Sequence, residues 1–235
     1  MQEFDDILER LLPGISASGY VDPAACRAAC PRDPQLLLSI LRAAEPQDLH
    51  QQQVLGHLSS IAAELLAQHR EALVLDRALS YIGYQMDAAG ATIRTAADAG
   101  DFLGAFLKAG TIICEGSCGD FAFQGASGGL GLIRGNAGQF CAEEIYGTAR
   151  VRVLGNVGNS AGRCMRGGRL IVRGDAGAFF CRYMEGGLAC ARDVELLGET
   201  YGGTVQARSV RALEKGRGGI HRARLIIRED EPLPG

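Results

Sequence analysis

The cassette Gly-x-x-Gly occurs as Gly116–Gly119, Gly135–Gly138, Gly155–Gly158 and Gly174–Gly177, at steps of 19, 20 and 19 residues. A second glycine keeps the same register at Gly128, Gly147, Gly167 and Gly186. Two independent marks on one period restrict the chain to a solenoid in which each repeat is one winding. Before each cassette lies a short run rich in β-branched and apolar residues, Thr111–Glu115, Leu130–Arg134, Arg150–Leu154 and Arg169–Arg173. Such runs bounded by turn glycines read as strands, and alternation along a strand sends every second side chain to one face. Two columns are nearly all apolar, Ile112, Gly131, Val151, Leu170 and Cys114, Ile133, Val153, Val172. The column ahead of the cassette, Glu115, Arg134, Leu154, Arg173, is mostly charged and is expected to face water.

Another phase carries Phe121, Phe140, Ser160 and Phe179, with Phe102 one step earlier. This column is expected to stack inside the coil, so that Phe140→Ala opens a cavity costing about 3–5 kcal/mol. A further column, Ala126, Ile145, Met165, Met184, is expected to fill the remaining core. The glycines meet two needs of a tight coil, positive φ and backbone packed on backbone. The fold expected is therefore all-β, a right-handed parallel β-helix with coils of 19–20 residues and a small α-helical N-terminal module. Its parts are a helical module over 1–75, a linker over 76–90, the β-helix over 91–212, and a C-terminal tail over 213–235 with a last strand at Ala223–Arg228.

In the N-terminal third, Phe4, Ile7, Leu8, Leu11 and Leu12 recur at helical spacing. Leu36–Leu41 reads as a second helix after Pro31 and Pro34, and Pro46 opens a longer one with the stripe Val54, Leu58, Ile61, Leu65. Three of the four histidines, His50, His57 and His69, lie in or near it. The open end of a β-helix needs covering, and a helical cap or a partner-docking module would serve.

Composition narrows the function classes. A net charge of −3 gives no nucleic-acid footprint, and no apolar span is long enough for a transmembrane helix. Met1–Arg10 is acidic and amphipathic, unlike a secretory signal, and the location expected is cytoplasmic. The eight cysteines contain no C-x-x-C pair, so they read as small buried reduced thiols, with a metal or cluster role for Cys26 and Cys30 as the alternative.

Several motifs invite chemistry. Gly125-Ala-Ser127-Gly-Gly129 matches the esterase elbow, but its glycines belong to the repeat and the one downstream histidine is His221. Arg173-Gly174-Asp175 spells an adhesion tripeptide at a repeat corner. Lys215 precedes Gly216 and Gly218 in the wrong order for a P-loop, and Arg134 breaks a dinucleotide fingerprint begun by Gly129 and Gly131. The pair Glu143 and Glu144 reads as wet surface. No residue is assigned a catalytic, cofactor-binding or metal-binding role, and no cofactor is expected.

The run Gly155-Asn-Val-Gly-Asn-Ser-Ala-Gly162 with Met165-Arg-Gly-Gly168-Arg-Leu-Ile-Val-Arg-Gly174-Asp-Ala-Gly177 resembles the GXGXG domain. That domain forms the C-terminal part of the glutamate synthase large subunit. It also forms the β-helical subunit of formylmethanofuran dehydrogenase and of the related formyltransferase/hydrolase complex. Asp76-Arg77-Ala78 through Met86 is similar to the stretch that leads into this domain in glutamate synthases. The resemblance covers roughly residues 75 to 190 and implies a β-helix without chemistry of its own. It implies a scaffold subunit in a glutamate-synthase-like, glutamine amidotransferase-coupled oxidoreductase complex, with amidotransferase and flavin-bearing synthase partners. One alternative is the β-helical subunit of a formylmethanofuran dehydrogenase or formyltransferase/hydrolase complex, with the formyltransferase and hydrolase subunits as partners. Another is a stand-alone enzyme or small-ligand binder using a groove on the coil.

Overall fold

The computed structural model describes residues 2–11, 21–214 and 220–228; Leu12, Lys215, Gly216 and Gly218 lie outside them. Among the described residues four helices, α1 (Gln2–Leu11), α2 (Pro23–Ala29), α3 (Pro34–Ala43) and α4 (Leu49–Ala67), precede ten strands. The strands are β1 (Leu73–Leu75), β2 (Asp87–Thr95), β3 (Ala109–Cys114), β4 (Leu130–Ile133), β5 (Arg150–Val153), β6 (Arg166–Val172), β7 (Ala176–Phe180), β8 (Gly186–Leu197), β9 (Thr204–Leu213) and β10 (Arg224–Ile227). All except β7 lie on one parallel path, β1-β2-β3-β4-β5-β6-β8-β9-β10, while β7 pairs with β8. The chain is thus a parallel β-solenoid. Its ladder begins at Leu73 and ends at Ile227, so the stretch expected as a linker, 76–90, holds the turn of the first winding and then the start of β2 at Asp87.

The repeat sets the register. Ile112 pairs with Gly131, Gly131 with Val151, and Val151 with Leu170. Both inward strand columns are buried, as is the Ala126, Ile145, Met165, Met184 column. On the outside, Glu115 is bridged by Arg94 at 3.0 Å and by Arg134 at 2.5 Å. A second, narrower ladder joins Cys118, Ala137, Val157 and Ala176.

The cassette glycines owe their identity to backbone packing. At Gly155 a Cβ would fall 2.5 Å from the carbonyl oxygen of Gly135 in the preceding winding. Beside them runs a ladder of short polar side chains that satisfies the corner backbone. Asp98 Oδ1 accepts from the Ser117 N–H at 2.7 Å, Ser117 Oγ from Asn136 at 3.1 Å, Asn136 Oδ1 from Asn156 at 2.8 Å, and Asn156 Oδ1 from Asp175 at 2.8 Å.

The third side of each winding is a turn in which every second residue has positive φ. In one winding these are Phe121 (59°), Phe123 (59°) and Gly125 (63°). For a side-chain-bearing residue this conformation costs roughly 1 kcal/mol or more. Hydrogen bonds to both neighbouring windings hold it, Phe121 N–H donating to Gln139 O at 2.9 Å and Phe123 N–H to Leu103 O at 2.7 Å. This backbone corrects the expected position of the phenylalanine column. Phe102, Phe121 and Phe140 do stack, but on the outer side of the turn and half-buried. The residue inside is Phe123, fully buried, its ring filling the space that a side chain on Gly131 or Gly104 would need. Phe140→Ala is accordingly expected to cost about 1–2 kcal/mol, the worth of a partly buried stacked ring, instead of a core cavity.

The helices close the first winding. Asp22, Asp33 and Asp48 cap α2, α3 and α4 by accepting backbone N–H bonds, so the long helix starts at Leu49 and not at Pro46. Helix α4 is buried all round from Gln53 to Ala63, between α2 and α3 on one side and the coil on the other. Gly56 lets it approach, because a Cβ there would lie 2.5 Å from the Tyr81 carbonyl oxygen. Ser59 Oγ accepts from the Gly83 N–H at 2.9 Å, and Ser60 Oγ donates to the Tyr84 carbonyl at 2.9 Å. The helix thereby supplies bonds that a further winding would otherwise make. Arg77 ties the coil back to α3 by donating to the Arg42 carbonyl at 2.8 Å, at the helix C-terminus where cations are favoured.

Candidate functional site

The outward surface of the positive-φ turns carries the most ordered side-chain array. Because each winding repeats the same backbone, equivalent rings lie one above the next. Tyr81, Phe102, Phe121 and Phe140 stack with centroid separations of 4.6, 4.9 and 4.9 Å and interplanar angles of 7°, 6° and 3°. Ser160 interrupts the column, and Phe179 resumes it beneath the Arg182 guanidinium, 5.1 Å from the ring centre. Three positions along each turn runs a polar column. Glu143, only 4 % exposed, accepts from Gln124 Nε2 at 3.0 Å and from Arg163 Nη1 at 2.6 Å. The expectation that Glu143 and Glu144 form a wet pair therefore fails for Glu143. Its phase matches Gln124 and Arg163 on the period, a signal that the adjacent-pair reading passed over.

Towards the last windings the array becomes titratable. Tyr183, Tyr201 and His221 stack, with centroids 6.2 and 4.7 Å apart. His221 Nε2 lies 3.0 Å from Glu199 Oε1, Arg182 pairs with Glu214 at 2.8 Å, and Glu214 also accepts from the Glu199 N–H at 2.9 Å. Each carboxylate here is engaged by a neighbour, and no serine or cysteine among the described residues joins the group. Partial desolvation and the adjacent Glu199 hold the Tyr201 phenol above its usual range.

The other candidate residues do not converge. Ser127 sits in the corner between a turn and β4, followed by a strand and not by the helix that an esterase elbow requires. His221 is five windings further on, about 24 Å at 4.8 Å per winding. Asp175 of the Arg-Gly-Asp tripeptide is held by Arg192 through two bonds of 2.8 Å. Near it a groove of about 610 Å³ is lined by Asn156, Asp175, Asp193, Glu195, Arg208 and Arg211, and here too charges pair internally, Arg208 with Asp193.

All eight cysteines are free thiols. Cys26 and Cys30 have their sulfurs 4.0 Å apart, and the hydrogen bond between them, with burial, raises the Cys26 thiol far above its usual range. Burial pushes Cys141 up to about 12 and Cys190 to about 11. Such thiols stay protonated and are poor nucleophiles and metal ligands. Among the described residues no three His, Cys, Asp or Glu side chains converge to hold an ion. His50 is half-buried and His69 exposed. His57 is packed edge-on against Tyr84 at 5.0 Å, and burial lowers it to about 4. Among the described residues no helix is long and apolar enough to cross a membrane.

Over 112 residues the chain is 32 % identical to the glutamate synthase [NADPH] large chain of Bacillus subtilis (strain 168). The match covers 43 % of this chain and 7 % of that relative. No family model matches the chain.

Proposed function

We propose that the chain is a non-catalytic scaffold subunit of a glutamate-synthase-like, glutamine-using complex in the cytoplasm. Its partners on this reading are an amidotransferase and a flavin-bearing synthase chain. The observation that carries the reading is the match to the glutamate synthase large chain, which extends over a small part of that protein. The side chains of the coil favour a structural role, since those with catalytic potential bond to each other in vertical columns instead of facing a shared open site. A stiff rod of this kind holds two bodies at a fixed separation. Its contribution to the reaction is the entropy saved by keeping two active centres in place.

The test is affinity purification of the full chain from its native cells, with identification of bound proteins. A glutamine amidotransferase and a flavoprotein are expected at fixed stoichiometry, with the isolated chain inactive in glutaminase and glutamate-forming assays. Recovery of amidohydrolase-like and formyltransferase-like chains would transfer the protein to the formyl-handling alternative. A partnerless chain that hydrolyses esters would overturn the scaffold reading.

A further inference from the structure

At its far end the coil has no lid among the described residues. Thr204–Ala207 of β9 pair with β10, but Arg208–Leu213 are paired only with β8, and no other described strand lies beside them. Inward-pointing residues that are covered one winding earlier are open here. Val194 and Leu197 of β8 are each 1 % exposed, whereas Leu213, the register partner of Leu197, is 48 % exposed and Ile227 44 %. A depression of about 430 Å³ lies at this tip, lined by Val210, Leu213, Leu225, Ile227 and the arginines 208 and 211. An unpaired backbone edge beside exposed core residues is a template for another strand.

The charge of the tip indicates what fits. In a chain of net charge −3, the last two strands and their flanks expose Arg211, Arg222 and Arg224 against Glu195 of β8, while Arg208 is held by Asp193 and Glu214 by Arg182. A second copy would bring like charges together, which disfavours end-to-end pairing of two such tips. Nucleic acid would answer the arginines but not the backbone edge or the apolar side chains. We infer that the edge Arg208–Leu213 of β9 is a docking site for an extended segment of an acidic partner protein. The segment adds as a strand, places apolar side chains over Val210 and Leu213, and places carboxylates near Arg211. This rests on the scaffold reading and specifies which end of the rod one partner grips.

The probe is a short fluorescent peptide of alternating glutamate and valine, titrated against the full chain and followed by anisotropy and by amide hydrogen exchange. Saturable binding is expected, with new protection at Ser209–Leu213, weakening roughly tenfold in Arg211→Glu and on raising the salt. The proposal is overturned by equal binding of a lysine–valine peptide, by preference for single-stranded DNA, or by indifference to Arg211→Glu. Protection of Ser209–Leu213 already present in the free chain would overturn it too, since the tip would then be occupied in cis, for example by the acidic run Glu229-Asp230-Glu231. Failure of the peptide beside a successful copurification moves the docking site and leaves the scaffold reading standing; the reverse outcome separates the tip from a glutamate-synthase-like role.

Discussion

Above the first winding lies α4, buried from Gln53 to Ala63, with Ser59 and Ser60 bonded to the turn at Gly83 and Tyr84; beyond the last lies a strand edge with Leu213 half in water. The same parallel ladder thus ends in two chemical states. At one end the apolar columns are covered by the chain's own helices, and at the other no described element covers Leu213 and Ile227. The asymmetry gives the rod a direction, one finished end and one receptive end.

The contrast makes graded predictions. Leu58, fully buried in α4, should lose about 2–5 kcal/mol on replacement by alanine, measured by denaturant unfolding. Acid should act through His57. Its folded value near 4 lies below the unfolded value of 6.5, so the unfolded state binds the proton first. The stabilisation is complete above pH 6.5, declines as the pH falls, and is lost below about 4, a total on the order of 3 kcal/mol. His57→Phe should flatten that profile, and an unchanged profile would mean that the cap opens before His57 titrates. Ser59→Ala, which strips the Gly83 N–H of its acceptor, should cost about 1–3 kcal/mol and speed hydrogen exchange at Gly83. Smallest of all, Leu213→Ser at the receptive end should change stability by less than about 1 kcal/mol. A loss there as large as that of Leu58→Ala would erase the distinction between the ends.

The sequence made the ladder legible because the period acts on the backbone. Residues at equal phase pair, whatever their type, and Ile112, Gly131, Val151 and Leu170 fell in register for that reason. Which side of the wall a phase occupies is a different question. On the strands, period-two alternation answers it. In the turns, alternating left-handed residues abolish that rule, so Phe121 and Phe123 share one φ yet lie outside and inside. The clue to Phe123 was in the glycines: Gly104 and Gly131 leave a hole that one large ring fills. The ladder Asp98, Ser117, Asn136, Asn156, Asp175 could also have been read from the second cassette position, where only short acceptors occur. Helix α2 was announced by Asp22-Pro23, an N-cap followed by proline at the first helical position. The exposed tip was not legible, since it depends on which element packs against β9 and not on the pattern within the strand.

The windings repeat at steps of 19 or 20 residues and stack at a fixed pitch of about 4.8 Å. Evolution could therefore lengthen or shorten this molecule only by gaining or losing a complete turn, each time with its polar corner and its core ring partners intact. The length of the coil is consequently a digital quantity, adjustable in whole steps and insensitive to small insertions, which would be expelled as surface loops.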